Sequence, residues 1–217
     1  MPRNKYPEET VKKILEVSLK LFIEKGYEQT TVLDIVANLG GLTRGAFYHH
    51  FKSKEEVIEA IFNQMPEGRH PFIEAMDEKA ENGLERVRLA LKIGLKMNDD
   101  PIRRAASGLA LSLMKNPRFL AMFLKGLQED ARLLVPAIEE GMADGSIKKS
   151  NASALASLFA LLTNFWMMPA IFPASNEEMM AKGEMIDIIF NALGFHVIDE
   201  EIEQMYIGLL ESFNWEQ

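Results

Sequence analysis

Thr43-Arg44-Gly45-Ala46-Phe47-Tyr48-His49-His50-Phe51, with the junction Lys52-Ser53-Lys54-Glu55-Glu56, decides how this 217-residue chain is read. Thr43 can cap a short helix through about His49, because its hydroxyl accepts an N–H that a helix start leaves unpaired. Seven residues at about 1.5 Å each make a rod roughly 10 Å long, short enough to lie in a DNA major groove. The first turn of that rod offers a hydroxyl, a guanidinium and small residues that permit close approach, and the aromatics Tyr48 and His49 follow. Phe47 and Phe51 alternate with them and are expected in the core. Ser53 with Glu56 forms a Ser-x-x-Glu capping pattern and opens a further helix that ends near Pro66.

Upstream, Gly40-Gly41 forces a turn, and before it a short helix runs from Thr31 to about Leu39, capped by Thr31 with Asp34 reaching back. The first helix begins near Pro7 and stops at Gly26. Its Val11, Ile14, Leu15, Ser18, Leu19 and Phe22 follow the spacing of one buried stripe. Two short helices joined by a glycine turn and braced by a third make a helix-turn-helix. Beyond Pro66 the apolar periodicity predicts helices at about 71–81, 84–98, 101–115, 118–143, 151–171, 176–193 and 199–213, and Pro136 should kink or divide the fourth of these. No strand alternation or repeat competes. The expected fold is all-α, with a helix-turn-helix domain over 1–53 and a larger helical domain over 54–217.

A formal charge of −8 argues against nucleic acid only as an average. Residues 1–54 hold nine Lys/Arg against six Asp/Glu, whereas residues 55–217 carry −11. The absence of cysteine rules out disulfides, thiol catalysis and zinc–thiolate sites. The first residues have no apolar core of a secretory signal. The 27 uncharged residues from Ser150 to Asn176 are interrupted by Ser157, Thr163, Asn164 and Pro169, which favours a buried interface helix over a membrane span. A cytoplasmic protein is expected.

Ile14 through Phe22, Lys25-Gly26-Tyr27, Thr30-Thr31, Asp34-Ile35, the Thr43–Phe51 stretch and Ser53-Lys54-Glu55-Glu56 occur in an order that resembles the DNA-binding domain of TetR-type transcriptional regulators. The resemblance covers about residues 8–62, just over a quarter of the chain. One spacing departs from it: Ile35 to Gly45 is one residue longer than usual, and Gly40-Gly41 is where the extra residue is expected to be absorbed. The resemblance implies that Thr31 and Lys54 hold phosphates at helix N-termini and that Tyr48 and His49 touch the DNA backbone. It also implies that Thr43 and Arg44 read base edges, while Ala46 packs on a thymine methyl. His49-His50 is a poor metal site, since adjacent helical residues point about 100° apart.

The same resemblance implies a homodimer on a palindromic operator and a small-molecule pocket in the larger domain, with no cofactor or bound metal. Twelve of thirteen methionines and nine of thirteen phenylalanines lie after residue 64, a composition suited to an adaptable apolar site. Met97, Met114, Phe119, Met122, Phe123, Phe165, Trp166 and Met167 are the candidate ligand contacts, although the last three cannot all face one way on a helix. Helices 151–171 and 176–193, the latter with Met180, Ile186, Ile189, Phe190 and Leu193, are the candidates for a dimeric four-helix bundle.

The expected function is a repressor released from its operator by a small apolar ligand, the signal passing through the fourth helix. A DNA-binding scaffold for a protein partner is an alternative, which a packed C-terminal core would favour and a cavity of about 300 Å³ or more would disfavour. A helical-bundle metalloenzyme is a further alternative. The only Glu-x-x-His match, Glu67 to His70, lies between Pro66 and Pro71, where a helix is not expected. No hydrolase elbow, phosphate loop or zinc-protease motif is present, so no enzyme is expected.

Overall fold

The structure, a computed structural model, describes residues 7–64, 70–97, 108–109, 113–114, 116–168 and 171–212. Among them there is no strand. The chain divides into two compact units, Met1–Gly68 with Ala105–Leu109, and Arg69–Arg104 with Ala110–Gln217.

In the N-terminal unit lie α1 (Pro7–Lys25), α2 (Val32–Asn38), α3 (Arg44–His50) and α4 (Lys54–Gln64). Of the expected α1 stripe, Ile14, Leu15, Ser18 and Phe22 are buried, with Val11 and Leu19 half-buried beside them. They meet Ile35 and Leu39 of the α2 region, Phe47 and Phe51 around α3, and Val57, Ile58 and Ile61 of α4. Thr30 closes the end of α1, its hydroxyl donating to the Gly26 carbonyl at 2.8 Å. That satisfies an acceptor which the helix terminus leaves open. Gly40 and Gly41 take φ of +62° and +96°, so two left-handed residues in succession make the turn between α2 and α3.

The compact unit includes α4. The reason is burial: Val57 and Ile58 of α4 are fully enclosed in the N-terminal core.

The C-terminal unit holds α5 (Pro71–Asp77), α6 (Gly83–Lys96), α7 (Pro117–Asp144), α8 (Ala152–Ala160) with a π-helical continuation Leu161–Trp166, α9 (Asn176–Ala192) and α10 (Glu200–Ser212). Its core is built from Val87, Leu134, Ile138, Phe159, Phe190 and Phe195 with their neighbours. The rings of Phe159, Phe190 and Phe195 lie 5.4–5.8 Å apart, within the range of favourable edge and tilted contacts.

α6 and α7 approach closely at Gly83 and Gly141. A Cβ on Gly83 would sit 2.0 Å from the Gly141 nitrogen. Asp144 and Ser146 then reach the start of α6, accepting from the N–H groups of Gly83 at 2.7 Å and Leu84 at 3.2 Å.

Several expected boundaries shift. α5 stops at Asp77, not near 81, and the Arg86 guanidinium takes the carbonyls of Ala75 and Glu78 at 2.8 and 2.9 Å. Pro136 does not divide α7: it lies exposed, where the carbonyl deprived of its N–H partner can be hydrated. The helix expected at 101–115 lies outside the described residues except for 108–109 and 113–114.

Candidate nucleic-acid interface and ligand cavity

α3 is fixed from both ends. Thr43 accepts from the Ala46 N–H at 3.2 Å, and Phe47 and Phe51 anchor the opposite side in the core. This leaves Arg44, Gly45, Tyr48 and His49 exposed and Ala46 half-buried, so the expected reading face is outward. The Arg44 guanidinium carbon lies 5.4 Å from the Tyr48 ring centroid, a cation–π contact one helical turn long that holds both side chains on that face. His49 and His50 stack edge-on at 5.1 Å, and burial with the neighbouring His49 charge pushes the His50 pKa down. Among the described residues no group of three or more His, Asp or Glu is placed to hold a metal.

The two expected phosphate holders are occupied within the unit. Thr31 donates both its N–H, at 2.8 Å, and its hydroxyl, at 2.7 Å, to Asp34 Oδ2. The Asp34 N–H returns to the Thr31 oxygen at 3.1 Å, so the capping box forms as the spacing predicts. Lys25 closes on the same carboxylate at 2.8 Å, and with Thr31 it holds the Asp34 carboxyl well below the usual range.

Lys54 turns away from solvent, its side chain only 18% exposed. Its ammonium donates to the carbonyls of Tyr27 and Glu28 at 2.8 and 3.3 Å and sits 4.3 Å from the Tyr27 ring centroid. The Tyr27 hydroxyl donates to Glu55 at 3.1 Å. Lys54 therefore ties the start of α4 to the end of α1. Ser53 accepts from the Glu56 N–H at 3.4 Å, but the Glu56 carboxylate reaches the Lys52 N–H at 2.7 Å, one residue before the cap the spacing predicts.

The C-terminal unit holds a partly open cavity of about 910 Å³. Its walls come from the start of α5, the C-terminal half of α6, Asp130 of α7, the α8 π turn, α9 and α10. Of the eight expected ligand contacts only Met167 lines it. Met97, Met114, Phe119, Met122, Phe123, Phe165 and Trp166 do not.

Phe119 is 2% exposed, a core residue. Phe123 and Phe165 face each other at 6.2 Å, and Trp166 packs on the main core. The apolar lining comes instead from residues such as Phe72, Leu91, Met179, Met180 and Leu209.

Two polar features at the cavity were not foreseen. His70 caps α5: its Nδ1 accepts from the Phe72 N–H at 3.3 Å, which leaves Nε2–H to donate to Asp130 at 2.9 Å. Tyr206 lies against Gly183, where a Cβ would come 3.3 Å from the ring, and its hydroxyl donates to the Met179 carbonyl at 3.3 Å. Burial raises its pKa above that of an ordinary tyrosine.

α9 has three faces. Met179, Ile186 and Phe190 are buried, Met180, Gly183 and Asp187 face the cavity, and Ala181, Met185, Ile188 and Ala192 form an exposed stripe with Ile188 60% exposed at the cavity edge. The bundle face expected from sequence is thus mostly inward. Ile186 and Phe190 are core, Met180 lines the cavity, Ile189 is half-buried and Leu193 alone is exposed. Among the described residues no helix is long and apolar enough to cross a membrane.

Residues 14–61 match the family model for bacterial regulatory proteins of the tetR family. The transcriptional regulator TtgR of Pseudomonas putida is 35% identical over 74 residues, 34% of this chain and 35% of that protein, so the match spans about a third of its length. The transcriptional repressor KstR2 of Rhodococcus jostii is 30% identical over 156 residues, 67% of this chain and 72% of that protein. A TetR-family regulator from Pectobacterium atrosepticum shares the fold with a TM-score of 0.63 at 23% identity, over 88% of this chain and 97% of that one. With an exposed reading helix on a capped, three-helix brace and this breadth of likeness, the chain belongs to the TetR family of DNA-binding transcriptional regulators.

Proposed function

We propose that this regulator is a homodimeric repressor that leaves a palindromic operator when a small, largely apolar molecule enters the C-terminal cavity. The observation that carries the reading is the cavity itself. At about 910 Å³ it lies within the range of small-molecule sites, whereas a scaffold for a protein partner needs no such space. Helices α1–α3 form the reading head, and α4, packed in the same unit, continues the chain toward the cavity-bearing unit and carries the signal.

Arg44 and Thr43 are assigned to base edges, Tyr48 and His49 to the sugar–phosphate backbone and Ala46 to a thymine methyl. Thr31 and Lys54 contribute to phosphate binding through the helix starts that they hold in place, where N–H groups and the helix dipole favour an anion. The exposed stripe of α9, together with Ala154, Ser157 and Leu161 on the outer side of α8, supplies the dimer face. On a palindromic operator the two copies of α3 in such a dimer would enter successive major-groove faces about 34–36 Å apart, one turn of the DNA helix.

A ligand releases DNA only if it binds the non-DNA-binding arrangement more tightly. The test is an operator titration by anisotropy across a panel of apolar compounds. At least one compound should weaken operator binding tenfold or more, about 1.4 kcal/mol of coupling. Constant affinity across the panel would remove ligand control and leave DNA binding intact.

A further inference from the structure

We infer that the C-terminal cavity selects an amphipathic cation, an apolar body carrying a protonated or quaternary amine. The inference rests on the ligand-binding reading above and adds the chemical class. The cavity wall is apolar over most of its extent, but its charge is one-sided. Among the described residues Asp130, Glu184, Asp187, Asp199, Glu200 and Glu203 line it, and neither lysine nor arginine does.

Two of these carboxylates are compensated from nearby. Asp130 takes the His70 hydrogen bond at 2.9 Å, and Lys92, behind the wall, lies 2.9 Å from Asp199. The other four are presented as two pairs. Glu184 and Asp187 lie three residues apart on α9, and Glu200 and Glu203 three apart on α10, so each pair shares one helix face. Asp187 receives only the neutral Asn191 amide, at 2.8 Å.

Four carboxylate residues along the walls of one partly open space, three of them exposed, contribute a negative potential that a cation relieves and an anion worsens. Phe72 and Tyr206 also line the cavity. They offer π faces that attract a cation independently of the carboxylates. Met167, Met179 and Met180 supply an adaptable wall for the apolar body. Binding of a fatty acid or another anionic amphiphile would place like charges together in this space.

The experiment titrates the full-length protein calorimetrically with three probes of one chain length: octyltrimethylammonium, 1-octanol and octanoate, all below micellar concentrations. The cation should bind about tenfold more tightly than the alcohol, the scale of a few half-solvated ion pairs, and octanoate more weakly than the alcohol. Glu184 and Glu203 are exposed, so a Glu184→Gln/Glu203→Gln protein should fold, and most of the cation's advantage over the alcohol should disappear. Equal binding of the three probes, tighter binding of octanoate, no binding of the cation, or an undiminished cation preference in the double variant overturns the inference. Failure here is separable from failure of ligand control. A neutral compound that releases operator would keep the regulatory reading and sink the cation, whereas a cation that binds without changing operator affinity would do the reverse.

Discussion

Gly45→Ala should move stability and DNA affinity in opposite directions. Gly45 is the second residue of α3 and is exposed. A Cβ built there meets only the Thr43 hydroxyl oxygen, at 3.7 Å, an ordinary contact. Alanine in a helix is favoured over glycine by up to about 1 kcal/mol, and less at a terminal turn, so a gain of roughly 0.5 kcal/mol is expected. For a unit of this size that raises the midpoint of its thermal unfolding by about 2–4 °C.

On DNA the same methyl group projects from the exposed side of α3 that carries Arg44, Tyr48 and His49, where close approach is needed. Forcing α3 back far enough to lose one bidentate base contact costs about 1–3 kcal/mol, a complex weaker by roughly 5- to 150-fold. Calorimetric unfolding and anisotropy with the operator duplex read the two quantities on one preparation. Higher stability with unchanged operator affinity would show that this face does not meet DNA and would refute the assignment of α3. Lower stability would refute the account of the local geometry.

Three other substitutions test individual contacts. Lys54→Met removes the tie to the Tyr27 and Glu28 carbonyls and should cost about 1 kcal/mol in denaturant unfolding. Operator binding should then keep its salt dependence, whereas a slope reduced by about one would make Lys54 a direct phosphate contact. Gly83→Ala places a Cβ 2.0 Å from the Gly141 backbone nitrogen, which no side-chain adjustment relieves, and should destabilise the C-terminal unit by about 3 kcal/mol or more on chemical denaturation. Near-normal stability would mean that α6 and α7 do not cross there.

Asp34→Asn tests the clamp on α2. The folded-state pKa of Asp34 is depressed, first by Lys25 and then by Thr31, so the stability it confers is present above the unfolded value and is lost as pH falls through the folded one. Asp34→Asn should therefore be less stable than the unaltered protein at pH 7, with the gap narrowing below about pH 4. A gap independent of pH would place the effect in packing.

The DNA-binding half was largely legible because its determinants are local. The Thr31 and Thr43 caps, the Ile14–Phe22 stripe and the inward turn of Phe47 each follow from residues within one or two helical turns. The carbonyl that Lys54 takes 27 residues back was not legible, since a basic residue at a helix start looks the same in sequence whatever its ammonium meets.

The cavity was not legible for a tertiary reason. α9 carries apolar residues on both its inner and outer sides, and periodicity does not say which side is buried. Phe119, chosen as a pocket residue, is core, while Met179 and Met180 went unchosen. The signal that was present is the Met180-Gly183-Glu184-Asp187 strip, which combines an adaptable side chain, a gap and two carboxylates on one side of a helix. The π turn after α8 also had no simple signature, yet it brings Thr163 and Asn164 to the cavity wall.

Selection of bound sequences from random duplex DNA tests the central claim most directly, run in parallel with the unaltered protein and with Arg44→Ala. The account predicts a palindromic site with half-site centres about 10–10.5 base pairs apart, or a multiple of that spacing. The Arg44→Ala protein should enrich the same palindrome with one base pair per half-site relaxed, because the lost guanidinium contact carries about 1–3 kcal/mol of discrimination. Failure to enrich a palindrome, or full retention of preference at every position without Arg44, would contradict it.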